Sequence, residues 1–452
     1  MSKKNNTKTL GRFTVLWSGQ LVSAIGSGMT AFALGVYVFQ MSGRVSDVSL
    51  VTLLAFLPPL LLGPFAGVLA DRMDRRLLMI LGDSLSVFGL LYILYCLGTG
   101  GASLWQICLG VLISSVFTGL TDPAYRATVT DMLSPEEFTK ASGLMQIASA
   151  SKYLISPVIA GFLMKPFGLS LILWLDVLTF VFTVLVTFLV RKDLRRKSAD
   201  SPAESGSGAK GSFLRDFREG IKTTVENRGI IGLTIITCLV TFFMGFIQIL
   251  SSPMILAFSS SEALGTVETV AAMGMLVSGI VIGVLRIRRH YVRILWVSLF
   301  AGGIFMAVFG FRENLVTIGA GGFLFFASLP FANMALDYLV RTNIPNDTQG
   351  RVWPLISLVS QFGYVVSYVL CGVLSDKVFT PMMVEGGVLA SSAGRVIGVG
   401  TGRGTALLVI AAGVLLSLLA PVIGRIPSIR NLEKEEKECL AELSISAAPE
   451  SE

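Results

Sequence analysis

Apolar runs of about 20 residues recur along the whole chain, each long enough to cross a hydrocarbon core of about 30 Å at about 1.5 Å per helical residue. Twelve can be counted, at about 13–39, 48–69, 77–98, 104–122, 139–164, 169–190, 229–250, 263–285, 294–311, 315–341, 352–375 and 404–424. A backbone in lipid must satisfy its own hydrogen bonds, so runs of this length read as helices. The expected fold class is an all-α integral membrane protein with twelve transmembrane helices. A charged fraction of 14% agrees, since a soluble domain carries about 25%.

The N-terminus, MSKKNNTKTLGR, is polar and basic. The run behind it is too long for a signal h-region and lacks a small-residue cleavage site, so the first span is expected to be retained. Cys96, Cys108, Cys238 and Cys371 fall inside spans and Cys439 in the polar tail, without metal-ligand spacing. They read as small packing residues.

A net charge of +7 raises the question of nucleic acid, and its placement argues against it. With the N-terminus inside, the cytoplasmic segments hold 29 of the 36 Lys and Arg. The outer loops hold six (Arg44, Lys165, Arg312, Lys377, Arg395 and Arg403), and Lys152 lies within a span. This asymmetry places both termini in the cytoplasm. The basic excess therefore serves topology and anionic lipid. Trp17, Trp296 and Trp353 near inner span ends, with Trp105 and Trp174 near outer ends, fit an aromatic belt.

Residues 191–228, charged, then rich in Ser, Gly, Ala and Pro, then charged again, read as a linker. The expected organisation is a tail (1–12), a six-helix bundle (13–190), the linker (191–228), a second six-helix bundle (229–424) and a C-terminal tail (425–452). The halves carry traces of duplication. Asp122 and Arg126 are matched by Asp337 and Arg341 at an offset of 215, Gly67-Val68-Leu69 by Gly283-Val284-Leu285 at 216, and Gly161 by Gly372 at 211. CGVLSDK (371–377) imitates GVLADR, yet it falls at the opposite end of its span and reads as a span terminus.

The stretch GVLADRMDRRLLMI (67–80) resembles the loop between the second and third spans of major facilitator superfamily transporters, Gly-x-Leu-Ala-Asp-Arg-x-Gly-Arg-Arg/Lys. Gly67, Leu69, Ala70, Asp71, Arg72, Arg75 and Arg76 match, and Asp74 replaces the usual Gly. That replacement is similar to the branch holding macrolide efflux proteins and the enterobactin exporter. DPAYRATVTDMLSPEEFTKASGL (122–144), IPNDTQGRVWPLISL (344–358) and IGVGTGRGTALL (397–408) resemble other loops of the same branch. The resemblance implies two pseudo-symmetric six-helix bundles across a central cavity, alternating access, and export coupled to an ion gradient.

Two readings of the charged loop stand together. Its bases alone satisfy the positive-inside rule. Its acids point to a cytoplasmic latch, supported by the resemblance and built from Gly67, Asp71, Arg72, Asp74, Arg75, Arg76, Asp122 and Arg126. There Asp71 meets the N-terminal amides of the eleventh helix, and Arg75 or Arg72 pairs with Asp122. Asp337, Arg341 and Arg351 are the counterparts in the second half, with Asp337 and Arg341 spaced for a local ion pair.

Ionisable groups deep in a span cost about 2.5–3.5 kcal/mol and so default to function. Lys152, in the fifth span, and Asp176, in the sixth, lie at similar depth, either as a static pair or with Lys152 at the substrate or proton path. Asp83 in the third span is either a proton site or a partner for the basic loop. Drug exporters carry Gly-x-x-x-Gly-Pro-x-x-Gly-Gly in the fifth span; here it reads Lys152-x-x-x-Ser156-Pro157-x-x-Ala160-Gly161, still suited to a tight kinked helix. Phe32, Gln146, Phe243, Gln248 and Met275 are candidates to line an apolar cavity or to face lipid or core.

GSGAKGS (206–212) and GVGTGRG (398–404) lack the spacing of a phosphate cradle, and one histidine, His290, offers no histidine-based centre. No enzyme activity, cofactor or metal is expected. The expected protein is a monomeric exporter of an amphipathic small molecule, macrolide-like drug or metabolite, exchanging it for protons across the bacterial cytoplasmic membrane. The partners are that substrate, the proton and the lipid bilayer, with no nucleic acid. A siderophore or lipid exporter is the alternative within the class, and a non-transporting receptor or scaffold the alternative outside it.

Overall fold

The computed structural model describes residues 2–134, 137–198, 228–285, 287, 289–344 and 346–430. Among these residues the secondary structure is helical, without strands. In chain order the helices are α1 Ser2–Ser42, α2 Val45–Arg72, α3 Arg75–Gly98, α4 Leu104–Thr118, α5 Thr121–Met132, α6 Phe138–Leu154 and α7 Ser156–Ser198. There follow α8 Arg228–Leu256, α9 Ser261–Val284, α10 Tyr291–Phe311, α11 Leu315–Asn343, α12 Asn346–Leu374, α13 Thr380–Met383, α14 Gly394–Ile397 and α15 Thr401–Arg425.

Eleven helical stretches among the described residues are long and apolar enough to span a membrane. Ten run from 21 to 33 residues, while Lys140–Arg191 has 52, about twice what one crossing needs. The backbone inside that stretch leaves the helical region at Gly168 (φ 68°, ψ −170°), a conformation that costs glycine nothing and other residues much. One residue thus divides two spans, which gives twelve crossings among the described residues, as hydropathy implies.

Some span ends differ from those read from hydropathy. The fourth span is α4 and α5 together and runs to Met132, past the expected end at 122, because the polar segment TDPAYRATVTDM stays helical beyond the apolar run. The eleventh span passes through CGVLSDK and a π-helical turn at Ser375–Phe379 and ends at Met383, so that segment does not terminate it. In the fifth span α6 gives way to α7 at Ile155, whose backbone stays in the right-handed helical region, because Pro157 has no N–H to offer the Tyr153 carbonyl.

The chain forms two compact units, Met1–Ser207 with Ser251–Thr269, and Gly208–Leu250 with Val270–Glu452. Within the first, Ser251–Thr269 is held against the fifth span. Ser261 Oγ donates to the Gly161 carbonyl at 3.2 Å, Thr269 Oγ1 donates to the Leu154 carbonyl at 2.9 Å, and Lys165 pairs with Glu262 at 3.3 Å. Lipid tails are as apolar as leucine, so helices in a bilayer associate through such close packing and polar bonds. The core of this unit beside the charged loop joins Phe13 and Leu16 of α1, Leu78 and Met79 of α3, and Ala124 and Val129 of α5.

Candidate functional site

The charged loop lies between α2 and α3 of the first unit. Asp74 is the N-cap of α3, accepting the Arg76 amide at 3.1 Å, which satisfies one of the donors every helix start leaves open. Its other oxygen accepts Arg191 Nε, from the far end of α7, at 2.8 Å. Burial opposes ionisation of Asp74, but the Arg191 guanidinium and the Arg76 amide outweigh it and hold the carboxyl below its ordinary pKa. The substitution of Asp for Gly in the motif therefore adds a cap and an ion pair together.

Arg75 Nη1 reaches Asp131 Oδ1 at 2.5 Å and the Ala127 carbonyl at 3.0 Å, both on α5, while its Nε donates to the Ala70 carbonyl in the last turn of α2 at 3.3 Å. This corrects the pairing expected with Asp122, which is bonded by Arg126 of its own helix at 2.9 Å. Asp131 lies nine residues beyond Asp122 in the same span and is the carboxylate level with the loop. Arg72 is exposed, and Arg76 is half-buried with its Nε unbonded among the described residues. A Cβ on Gly67 would enter open space. The side chains of Asp71 and Arg351 lie outside the described set, and with them the contact expected of Asp71.

Deeper in the first unit, Asp176 is 1% exposed on α7. Ser27 Oγ of α1 and Thr179 Oγ1 donate to its Oδ1 at 3.4 and 3.3 Å. Lys152 is exposed and forms no ion pair with it among the described residues, so the static pair considered from sequence is not what the fold builds. The reason is the close approach of α1. A Cβ on Gly26 would stand 2.7 Å from Asp176 Oδ1, and one on Gly28 would stand 2.9 Å from the Lys152 carbonyl. Glycines at both places bring the Ser27 hydroxyl to the carboxylate. Ser156 Oγ seals the same seam by donating to the Ile25 carbonyl at 2.9 Å.

Asp83 on α3 is 2% exposed, accepts Thr121 Oγ1 at 3.1 Å and keeps its second oxygen without a hydrogen-bond partner among the described residues. Buried and bonded by Thr121, it forms no ion pair with the basic loop among the described residues. Pro157 is buried, and its carbonyl lies where a side chain on Gly265 of α9 would collide with it.

Glu268, a third intramembrane carboxylate, was not singled out from the sequence. It lies in α9 of the first unit and accepts Ser251 Oγ at 3.2 Å. A lone acid within an apolar run was its visible signal. Gly161 and Pro157 on one helix, and Ser261, Gly265 and Thr269 on the other, supply the small surfaces that let α9 pack beside the fifth span.

In the second unit Arg341 lies over the Trp353 ring at 5.6 Å and forms no ion pair with Asp337, which is exposed. A guanidinium on an aromatic face is a stable alternative to an exposed carboxylate. Arg403 is not the loop charge that its place in the sequence suggests. It lies in the first turn of α15, is 1% exposed, and donates from Nε to Glu313 at 2.7 Å.

The family model for the Major Facilitator Superfamily matches residues 16–368. Macrolide efflux protein A of Streptococcus pyogenes is 27% identical over 391 residues, covering 84% of this chain and 92% of that protein. A bacterial homologue of the human lysosomal transporter Spinster, solved in an inward-facing unoccupied conformation, superposes with a TM-score of 0.67 at 16% identity, covering 96% of this chain and 99% of the other. The nucleoside transporter NupG superposes with a TM-score of 0.69 at 12% identity, covering 91% and 98%. At these identities the structural likeness is one of fold alone. The family match extends over most of the chain, and the described residues carry helices of membrane-spanning length throughout: this protein is a multi-pass membrane transporter and belongs to the Major Facilitator Superfamily.

Proposed function

We propose that the protein exports an amphipathic small molecule of the macrolide kind by alternating access, in exchange for protons. The observation that carries this reading is the likeness to macrolide efflux protein A over 92% of that protein's length. The Lys and Arg asymmetry supports a bacterial cytoplasmic membrane with both termini inside, and monomers suffice for the mechanism.

Proton exchange needs a group that gains and loses a proton inside the membrane. Asp83, Asp176 and Glu268 are carboxylates in spans that accept hydrogen bonds from hydroxyls, with no basic side chain in an ion pair among the described residues. Such groups are costly to keep charged and so suit a proton carrier. Lys152, exposed in the fifth span, supplies a positive charge that could meet an oxygen of the substrate. The loop pairs Arg75–Asp131 and Asp74–Arg191 would fix the inner ends of the spans, and their rearrangement would accompany opening; the role of Asp71 as latch rests on the family motif.

Inverted vesicles with an acidified interior should accumulate radiolabelled erythromycin, and a protonophore should release it. Accumulation that persists with the protonophore present and only a sodium gradient or ATP supplied would overturn the coupling. Absence of accumulation for an entire panel of macrolides would overturn the substrate class.

A further inference from the structure

Gln248 lies eight residues, about 12 Å, before the end of a span of 28 residues, and therefore within hydrocarbon depth. It belongs to the second unit, where α8 crosses α12. At the crossing, Thr241 Oγ1 donates to the Ser360 carbonyl at 2.5 Å, and a Cβ on Gly245 would lie 3.0 Å from Ser367 Cβ and 3.4 Å from the Tyr364 ring. One turn further along α8, the Tyr368 hydroxyl donates to Gln248 Oε1 at 2.5 Å. Tyr364 and Tyr368 are a turn apart on α12, with ring centroids 6.0 Å apart and planes inclined by 42°.

The Thr241 bond is interhelical glue, and the Gln248 bond alone could be the same. Two observations separate them. Tyr368 is 2% exposed, whereas Gln248 is exposed. The carbonyl of Gln248 is engaged by Tyr368, and its amide N–H2 has no hydrogen-bond partner among the described residues. Two unmet donors facing lipid would cost several kcal/mol, so an exposed amide at this depth faces water or a ligand. The tyrosine hydroxyl fixes which way the amide points, with the donors outward.

We propose that Gln248, oriented by Tyr368 and flanked by the Tyr364 ring, is a specificity-determining contact for oxygen-rich amphiphiles such as lactones, esters and polyethers. An uncharged donor pair rewards a carbonyl, ether or hydroxyl oxygen and makes no demand for charge. The part-exposed Tyr364 ring accepts the apolar body beside it. This assignment rests on the export reading and narrows its substrate class.

Equilibrium binding to the purified full-length protein tests it, with erythromycin as the acceptor-rich probe and tetraphenylphosphonium as the probe without acceptors. Gln248→Met keeps the length and removes the donors. It should weaken erythromycin binding about three- to tenfold, the size of one lost neutral hydrogen bond, and leave tetraphenylphosphonium binding unchanged. Tyr368→Phe, which releases the amide, should shift affinity in the same direction. Unchanged erythromycin affinity in both variants, equal losses for both probes, or a wild-type protein that binds tetraphenylphosphonium but not erythromycin would each overturn the assignment. Selective loss in a protein whose vesicles move no erythromycin would uphold the site and reject export, so the two readings fail separately.

Discussion

The partner of Arg75 sets an order of effects that can be measured. Arg75→Ala removes a 2.5 Å ion pair to Asp131 and two bonds to the Ala127 and Ala70 carbonyls. Arg75 and Asp131 are 28% and 48% exposed, so water screens the pair and about 0.5–1 kcal/mol is the reasonable worth. Two charge-assisted bonds to carbonyls, discounted in the same way, add about 0.5 kcal/mol each. The expected loss is about 2 kcal/mol, or about 30-fold in the ratio of folded to unfolded protein. Asp131→Asn should cost about 0.5–1 kcal/mol. Asp122→Asn should cost only about 0.3–0.5 kcal/mol, because it breaks one exposed pair along a single helix. Equilibrium unfolding in mixed micelles, followed by far-ultraviolet circular dichroism, gives the three values. A double-mutant cycle for Arg75→Ala with Asp131→Asn should show coupling of about 0.5–1 kcal/mol that shrinks as salt is added. A larger cost for Asp122→Asn than for Asp131→Asn, or zero coupling in the cycle, would refute the assigned partner. Transport of erythromycin, the proposed substrate, by the same variants then measures function apart from stability. A fall in efflux far beyond the small stability loss of Asp131→Asn would mark the pair as part of the moving machinery.

Two further expectations concern charges at span ends. Asp74 has a folded pKa below its unfolded value, so its ion pair with Arg191 contributes stability above the unfolded pKa of about 3.9 and loses it as pH falls through the folded pKa. Asp74→Asn keeps the helix cap, so its melting temperature should trail the wild type at neutral pH and converge with it in acid; a constant gap at all pH values would reject this account. Glu313→Ala strands the buried Arg403 guanidinium and should cost about 2–3 kcal/mol, below the usual range for a fully buried pair because Glu313 is 48% exposed. Adding Arg403→Met should recover most of that loss, and a single variant as stable as the wild type would show the pair to be idle.

Much of the frame was legible in the sequence because the bilayer imposes a simple rule: a span must be apolar for about 20 residues and must satisfy its own backbone. The twelve crossings followed from that rule, and the motif at residues 67–76 pointed to the family. The same rule misplaced the end of the fourth span. Hydropathy ends at Asp122, but TDPAYRATVTDM remains helical to Met132, and the partner of Arg75 moved with it from Asp122 to Asp131. Arg403 read as a loop charge because composition does not reveal that the first turn of α15 is packed away from water.

Depth in the membrane is a property of sequence spacing, and it placed Lys152 and Asp176 at similar heights. Whether side chains at one height meet depends on which faces of their helices are opposed and on what else can enter the gap. Gly26 and Gly28 let α1 close on the fifth and sixth spans and carry Ser27 to Asp176, leaving Lys152 exposed. Hydropathy and charge act locally along the chain and so determine the spans and the family. Partner choice for each buried charge depends on distances between helices far apart in sequence, and these exist only once the helices have packed.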